Sequence, residues 1–512
     1  MPAPDAETPQ PNVMGAGSMR LLPLKTWGLV CLTGVGAGLA GGLLMRLLRL
    51  IQHLAWPYRP GFDFVDATRL APAWHRIGVV LGAGVLTATV PWLLRKNLGG
   101  GHGGDLAEKI WFGSGKLDPI RTAVRAILSI VIVGMGASLG REAAPKQAGA
   151  LIASLLSGWA RLPHSQRRLL AACGAGAGIA AVYNVPVGGG LFTLEVLLGS
   201  LSLSLVPPAL VASLIAVAVS WLLLPDAPTY DIAHWTVDPA LIGFAVVAGP
   251  IAGAVSIAYV RLIAFADRQT PSGASAFLAP LAVFAALGAL ALPFPELLGN
   301  GKDVVQETFT SAPTLPVLAV LVLLKPLATA ACLGSGAPGG LFTPTMTLGA
   351  VLGAALGLVW LSVWPGGPVG PYAAVGSAAV LAAATQGPLS AIVLTLELTR
   401  RLDWIIVPVA IGVAGATASA RALEVRSIYS ARIHLGRLAT AGGVNTVSSA
   451  ARIAELMRAL LDAEGAPVRV TGQDGQILGE VTAADIHDPP PNARPLETAT
   501  AADFVEGQIQ RS

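Results

Sequence analysis

The sequence predicts an all-α polytopic membrane protein, on three observations: long apolar blocks, sparse charge, and glycine and proline recurring inside the blocks. Of 512 residues, 54% are hydrophobic and only 12% charged, about half the charged fraction of a soluble domain. An ordinary cytosolic enzyme is thereby excluded. Apolar blocks lie near 27–45, 77–94, 126–139, 209–224, 240–260, 278–293, 316–333, 345–363 and 404–420, many approaching the roughly 20 residues that a spanning helix needs. The 60 Gly and 38 Pro interrupt them. Interrupted helices survive at membrane depth only where protein or a water-filled cavity satisfies their backbone, so broken helices point to a transport pathway.

Charge and cysteine usage narrow the class further. A net charge of +4 gives no support to a nucleic-acid partner. Basic residues cluster beside apolar blocks, at Arg20 and Lys25 and again at Arg421, Arg426, Arg432 and Arg437, which by the positive-inside tendency puts both termini in the cytoplasm. Cys31, Cys173 and Cys332 are far apart in apolar surroundings with no paired His, the pattern of buried structural thiols and not of a metal site. Residues 1–19 lack the charged-then-apolar order of a signal peptide and are expected to form a disordered cytoplasmic leader.

The body between residues 20 and 438 carries an internal repeat, about 20–224 and 237–438. Tyr183-Asn184-Val185-Pro186 leads to Phe192-Thr193-Leu194-Glu195, and Gln386-Gly387-Pro388 leads to Leu394-Thr395-Leu396-Glu397, with the same spacing from Pro to Glu. Each is preceded by a glycine turn entering an apolar segment: Gly140-Arg141-Glu142-Ala143-Ala144-Pro145 in the first half, Gly339-Gly340-Leu341-Phe342-Thr343-Pro344 in the second. Matching broken segments in two halves mark a substrate site near the midplane.

After residue 438 charge returns and long apolar runs stop, so 439–512 reads as a small cytoplasmic α/β domain. Pro467-Val468-Arg469-Val470, a turn at Asp474-Gly475 and Ile477 to Thr482 form a predicted hairpin, preceded by an amphipathic helix over 448–462. The pattern resembles one CBS module, a unit that usually works in pairs and often binds adenine nucleotides. A single copy argues against a nucleotide and for a structural or dimer-supporting tail.

An anion inside lipid needs positive potential without a full charge that traps it. Helix N-termini supply this, through unpaired N–H groups and about half a positive charge each. Gly99 to Gly104, Gly140 to Pro145 and Gly336 to Pro344 all have the form of glycine-rich helix starts. Here residues 27–437 resemble the CLC family of chloride channels and chloride/proton antiporters. Gly140-Arg141-Glu142 resembles its GREGP motif, Gly340-Leu341-Phe342-Thr343-Pro344 its GxFxP motif, and Ser427-Ile428-Tyr429-Ser430 its final helix. The resemblance implies a bacterial inner-membrane homodimer of inverted-repeat subunits, each with its own pore for chloride or a similar anion, with protons as a possible second substrate, no cofactor and no enzymatic activity. It also implies that Leu341 and Phe342, following Gly340, offer backbone N–H groups and Tyr429 its hydroxyl to a central anion. The first and second motifs add His102, Gly103, Gly140 and Arg141 to the anion-binding set.

Glu142 corresponds to the gating glutamate, whose carboxylate competes with the anion and moves aside on protonation or displacement, linking protonation to occupancy. A structural Glu142 paired with Arg141 or Lys146 is the competing reading. Three departures from the family pattern matter. GSGIP becomes Gly101-His102-Gly103-Gly104-Asp105, so His102 replaces the serine and opens the anion preference to fluoride or nitrate; His102 either enters the pore or turns to packing. Val196 stands where transporters usually carry a glutamate, after Glu195, which itself reads as structural. Lys146 follows a displaced Pro145, its role open. Val196 favours a passive, Glu142-gated channel over a proton-coupled antiporter. Neither HExxH nor paired Cys occurs, so a membrane-embedded metal or thiol enzyme has no candidate site.

Overall fold

A computed structural model describes residues 23–98, 106–111, 114–232, 235–311, 313–400, 405–423, 426–432, 446–451, 456, 468–472, 476–481 and 500–509. The chain divides into two compact units, Met1–Ile433 and His434–Ser512.

The described residues of the first unit form helices joined by turns and loops. Its first half runs α1 (Leu24–Ala55), α2 (Phe64–Leu70), α3 (Ala73–Leu98), α4 (Leu106–Trp111), α5 (Pro119–Gly134), α6 (Ala143–Trp159), α7 (His164–Tyr183), α8 (Pro186–Phe192), a π-helical turn at Thr193–Leu197, and α9 (Val206–Ser220). Its second half runs α10 (Pro239–Arg268), α11 (Ser275–Leu290), a 3₁₀ turn at Pro295–Leu297, α12 (Lys302–Thr310), α13 (Leu315–Gly334), α14 (Phe342–Val363), α15 (Gly370–Thr385), α16 (Pro388–Thr399) and α17 (Ile406–Ala422), then a 3₁₀ turn at Ser430–Arg432. Helix starts follow local chemistry. Asp118 and Asp238 each accept the backbone N–H three residues on, at 3.0 and 2.7 Å, and each precedes a proline at the first helical position, the combination that fixes a helix start.

Among the described residues five helices are long and apolar enough to cross a membrane: α1, α3, α10, α13 and α14. Others, among them α8, α9, α11, α15, α16 and α17, are apolar but shorter, as expected for helices broken within a membrane body. The expected block at 126–139 is in fact the second half of α5 plus a turn, because Gly136 takes φ +106° and ends the helix.

The two halves match in detail. α7 ends at Asn184 (φ +58°) and α15 at Gln386 (φ +59°), and a proline restarts the chain two residues later in each case. α6 crosses α7 where Gly149 meets Gly174, and α14 crosses α15 where Gly349 meets Gly376. A β-carbon at any of the four would fall within 2.5 Å of a carbonyl oxygen of the facing glycine. Only glycine permits backbones this close, the small-residue packing of helices in lipid.

The second unit holds a three-stranded sheet in the order β1 (Thr446–Ser448), β2 (Val468–Thr471), β3 (Ile477–Val481), with α18 (Ala501–Ile509) following. β2 and β3 form the expected antiparallel hairpin, pairing Val468 with Val481 and Arg469 with Glu480, and Arg469 donates to Glu480 across the strands at 2.8 Å. β1 joins β2 in parallel, a strand that sequence reading did not provide. Leu456, Val468, Val470, Val481, Phe504 and Val505 form its core. Of the helix expected over 448–462, Ser448 instead closes β1 and Leu456 is helical; 452–455 and 457–462 lie outside the described residues.

Candidate anion site

The two halves touch at their glycine turns. Gly140 donates its N–H to the Gly340 carbonyl and Gly340 returns the bond, both at 2.8 Å, as an isolated antiparallel bridge. This bridge brings the starts of α6 and α14 together. In this arrangement the amides of Gly140 and Gly340 are engaged with each other.

Glu142, immediately before α6, lies between these turns and is only 1% exposed. Its Oε1 accepts the Phe342 backbone N–H at 2.6 Å, and its Oε2 accepts the hydroxyls of Thr343 and Tyr183, each at 3.2 Å. Those two hydroxyls lie 2.6 Å apart. A β-carbon on Gly140 would stand 2.1 Å from Oε1, and one on Gly340 2.0 Å. The carboxylate thus fills a slot floored by two bare α-carbons, and the N-terminus of α14 is already engaged with an anion, the chain's own. Charge-assisted bonds of this kind are the strong ones.

The competing partners of Glu142 point elsewhere. Arg141 lays its guanidinium over the Tyr183 ring, 4.9 Å from its centre, and Lys146 lays its ammonium over the Tyr429 ring at 4.8 Å. Tyr429 is buried, held by the Ile428 N–H donating to Ala384 (2.7 Å) and by the Ser427–Ser430 turn. Phe192 stands edge-on to both Phe342 and Tyr429, with centroids 6.4 and 6.1 Å away, and Tyr183 packs on Phe342 at 5.5 Å. A row of four aromatic rings thereby joins Glu142's partner Tyr183 to Tyr429. Leu341 caps α14 beside Phe342 and is buried. His102 and Gly103 lie outside the described residues.

Sequence reasoning missed Tyr183, Thr343 and Phe192 as site residues. All three fall inside the matched segments, so the repeat was the available signal. On the Tyr183 side a cavity of about 380 Å³ is lined by Arg49, Asp63, Arg141, Tyr183, Lys302 and Asp303 among others, three cations against two carboxylates. Its wall includes Arg141 and Tyr183, the neighbours of Glu142. Burial first, and the Asp63 charge second, push the Asp303 carboxyl above its ordinary value. No group of three or more His, Cys, Asp or Glu suited to a metal occurs among the described residues.

Further charged side chains are engaged elsewhere. Glu397 accepts the N–H groups of Val187 and Gly188 (3.1 and 2.7 Å), while Glu195 accepts those of Leu389 and Ser390 (3.1 and 2.7 Å). Glu195 is therefore occupied as a helix cap. Val196 is buried in the π-helical turn beside Gly387. Lys325, unremarked in the sequence, is fully enclosed and donates to the carbonyls of Glu296, Leu297 and Gly299 at 3.0 Å and of Leu298 at 3.3 Å.

The family described as voltage gated chloride channel matches residues 86–421. A ClcB-like protein of Ralstonia nicotianae is 34% identical over 415 residues, covering 77% of this chain and 94% of its own length. A voltage-gated ClC-type chloride channel ClcB of Citrobacter koseri is 30% identical, covering 72% and 90%. Among solved structures, a slow cyanobacterial chloride/proton antiporter superposes with a TM-score of 0.68 at 22% identity, over 80% of this chain and 97% of that one. A CLC-type fluoride/proton antiporter does so with a TM-score of 0.64, at the same identity and coverage. At that identity the likenesses establish the fold.

Proposed function

This chain belongs to the voltage-gated chloride channel (CLC) family of multi-pass membrane anion transporters, and from that premise we propose that it is a Glu142-gated chloride pathway working as a passive channel. One observation carries the reading: the Glu142 carboxylate, cradled by Gly140 and Gly340, takes the Phe342 N–H. A negative group seated on a helix N-terminus occupies ground that a mobile anion would compete for. Phe342, Leu341 and Tyr429 are the groups we assign to the anion once the carboxylate leaves, and the packing of Phe342 and Tyr429 against Phe192 supports this. Protonation neutralises the carboxylate and weakens its hold on the N–H, so acid opens the pathway.

Val196 supports uncoupled flow, since a valine cannot relay a proton, and Glu195 is tied to the start of α16. Names of relatives such as ClcB, a chloride channel, agree with this reading. Proton-coupled exchange is the alternative that the two antiporter structures keep in view. A homodimer with one pathway per subunit, in a bacterial plasma membrane with both termini cytoplasmic, belongs to the same proposal, as does a selectivity altered by His102. Chloride and proton fluxes recorded together from reconstituted vesicles test it. The expected result is chloride efflux that rises on acidification, no uphill proton movement under a chloride gradient, and pH-independent efflux in Glu142→Gln. Uphill proton movement that disappears in Glu142→Gln overturns the channel assignment.

A further inference from the structure

We propose that the chamber on the Tyr183 side is a second anion site, which holds a tetrahedral oxyanion such as sulfate or hydrogen phosphate and blocks chloride while it is filled. The inference rests on the reading of Glu142 as the point that a mobile anion must pass, and adds a ligand of another class. The chamber encloses about 380 Å³, room for an ion several atoms across with water around it.

Three cationic side chains from three separate elements line it: Arg49 of α1, Arg141 from the turn before α6, and Lys302, the first residue of α12. None of the three takes part in an ion pair among the described residues. The two carboxylates of the chamber are turned to backbone amides instead. Asp63 accepts the Asp66 N–H at 2.8 Å, and Asp303 accepts that of Phe64 at 3.1 Å. Arg141 lays the face of its guanidinium on the Tyr183 ring, which fixes its plane and leaves the N–H groups of its edge to a ligand. The Lys302 ammonium is pushed below its ordinary value, by burial first and by the Arg141 charge next. Like charges that depress one another in this way are relieved by an anion placed among them.

Size and spacing select the class of anion. A chloride ion is a single atom and meets one wall of such a chamber at a time. Several oxygens around one centre meet donors on several walls together, and two planar forks with an ammonium suit that geometry. The same placement accounts for block. Arg141 and Tyr183 line the chamber, and Tyr183 donates its hydroxyl to Glu142 Oε2 at 3.2 Å. A dianion seated there covers the approach to Glu142 from this side, and its charge repels a following chloride.

The test is calorimetric titration of the purified full-length protein with sulfate, beside chloride efflux from vesicles with sulfate on both faces at constant ionic strength. The wild type is compared with Lys302→Gln, Arg49→Gln and Asp63→Asn, each against its own sulfate-free flux. The wild type is expected to bind sulfate and to lose chloride flux as the chamber fills. Lys302→Gln should weaken both binding and block about tenfold or more, and Arg49→Gln, at an exposed position, by less. Asp63→Asn keeps an acceptor for Asp66 and removes a negative charge, so it should tighten sulfate, a change that damage to the fold does not produce. A wild type that binds no sulfate, block that is absent when sulfate is bound, or equal sulfate affinity in every variant overturns the proposal. If Lys302→Gln does not fold, the opposite shifts expected of Arg49→Gln and Asp63→Asn decide it. A wild type that moves no chloride refutes the Glu142 pathway, whereas one that moves chloride and ignores sulfate refutes the chamber alone.

Discussion

Glu195 and Glu397 cap each other's helices across the repeat. Glu195, at the end of the segment that α8 begins, takes two N–H groups at the start of α16, and Glu397, on α16, takes two at the start of α8, with the same pair of distances, 3.1 and 2.7 Å. The exchange makes the pseudo-twofold relation between the halves chemical as well as topological, and it joins two short helices that neither half holds alone.

A reciprocal cap predicts a structural phenotype. Glu195→Gln and Glu397→Gln each lose charge-assisted bonds to a helix N-terminus, costing about 1–3 kcal/mol. Thermal unfolding in detergent should show both variants less stable, with the pH dependence of chloride flux retained. Loss of that dependence in Glu195→Gln, with stability unchanged, would make Glu195 a proton-handling residue and end the structural reading.

The repeat was legible because it is written in punctuation. Asn184 and Gln386 take the left-handed turn, and Pro186 and Pro388 restart the chain. Glu142, Phe342 and Tyr429 stood out as candidates for a related reason: each sits in a motif whose glycines or serines fix the backbone. Tyr183, Thr343 and Phe192 were not visible as site residues, since an aromatic or a threonine in an apolar run gives no local sign of where it points. That depends on contacts between residues about 150 to 200 positions apart, such as Thr343 with Glu142. The parallel strand β1 escaped for a similar reason, because three residues carry too little alternation to detect.

The slot around Glu142 gives a steric prediction. In Gly340→Ala the added carbon falls 2.0 Å from Oε1, far inside contact distance, and the backbone is pinned by the bridge to Gly140. The carboxylate is the part that moves. Gly340→Ala should therefore lose the pH dependence of chloride efflux as Glu142→Gln does. Vesicle efflux that still rises on acidification as in the wild type would mean that the slot tolerates the carbon and that the gate does not depend on it.

Asp303 gives a prediction in pH. Its carboxyl accepts the Phe64 N–H at 3.1 Å in α12, a nine-residue helix outside the long spans. Burial and the nearby Asp63 raise its value, so the folded protein holds this proton more tightly than the unfolded chain. Stability then falls as pH rises from the ordinary carboxyl range through the raised value, and the penalty is complete above it. Asp303→Asn keeps an acceptor for Phe64 and removes the charge. Its melting temperature should exceed that of the wild type at neutral pH, with the gain shrinking on acidification. A gain that is constant across pH would detach it from this titration.

Lys325 carries the last prediction. Its ammonium satisfies four consecutive carbonyls from Glu296 to Gly299, and the Gly299 N–H in turn donates at 3.0 Å to Gly136, in the turn that leads to Gly140 and Glu142. One buried cation thereby fixes the chain on which the first half's contribution to the site is built. Methionine keeps an unbranched stem one atom shorter and removes every donor, leaving four carbonyls facing apolar surroundings. Breaking a buried charged network from one side costs about 3–5 kcal/mol, a large share of the stability of a typical domain. Lys325→Met should accordingly accumulate poorly in membranes and lose its monodisperse elution at lower temperatures than the wild type. A protein that melts like the wild type would mean that water replaces the ammonium among those carbonyls, and that the Gly136 turn does not depend on Lys325.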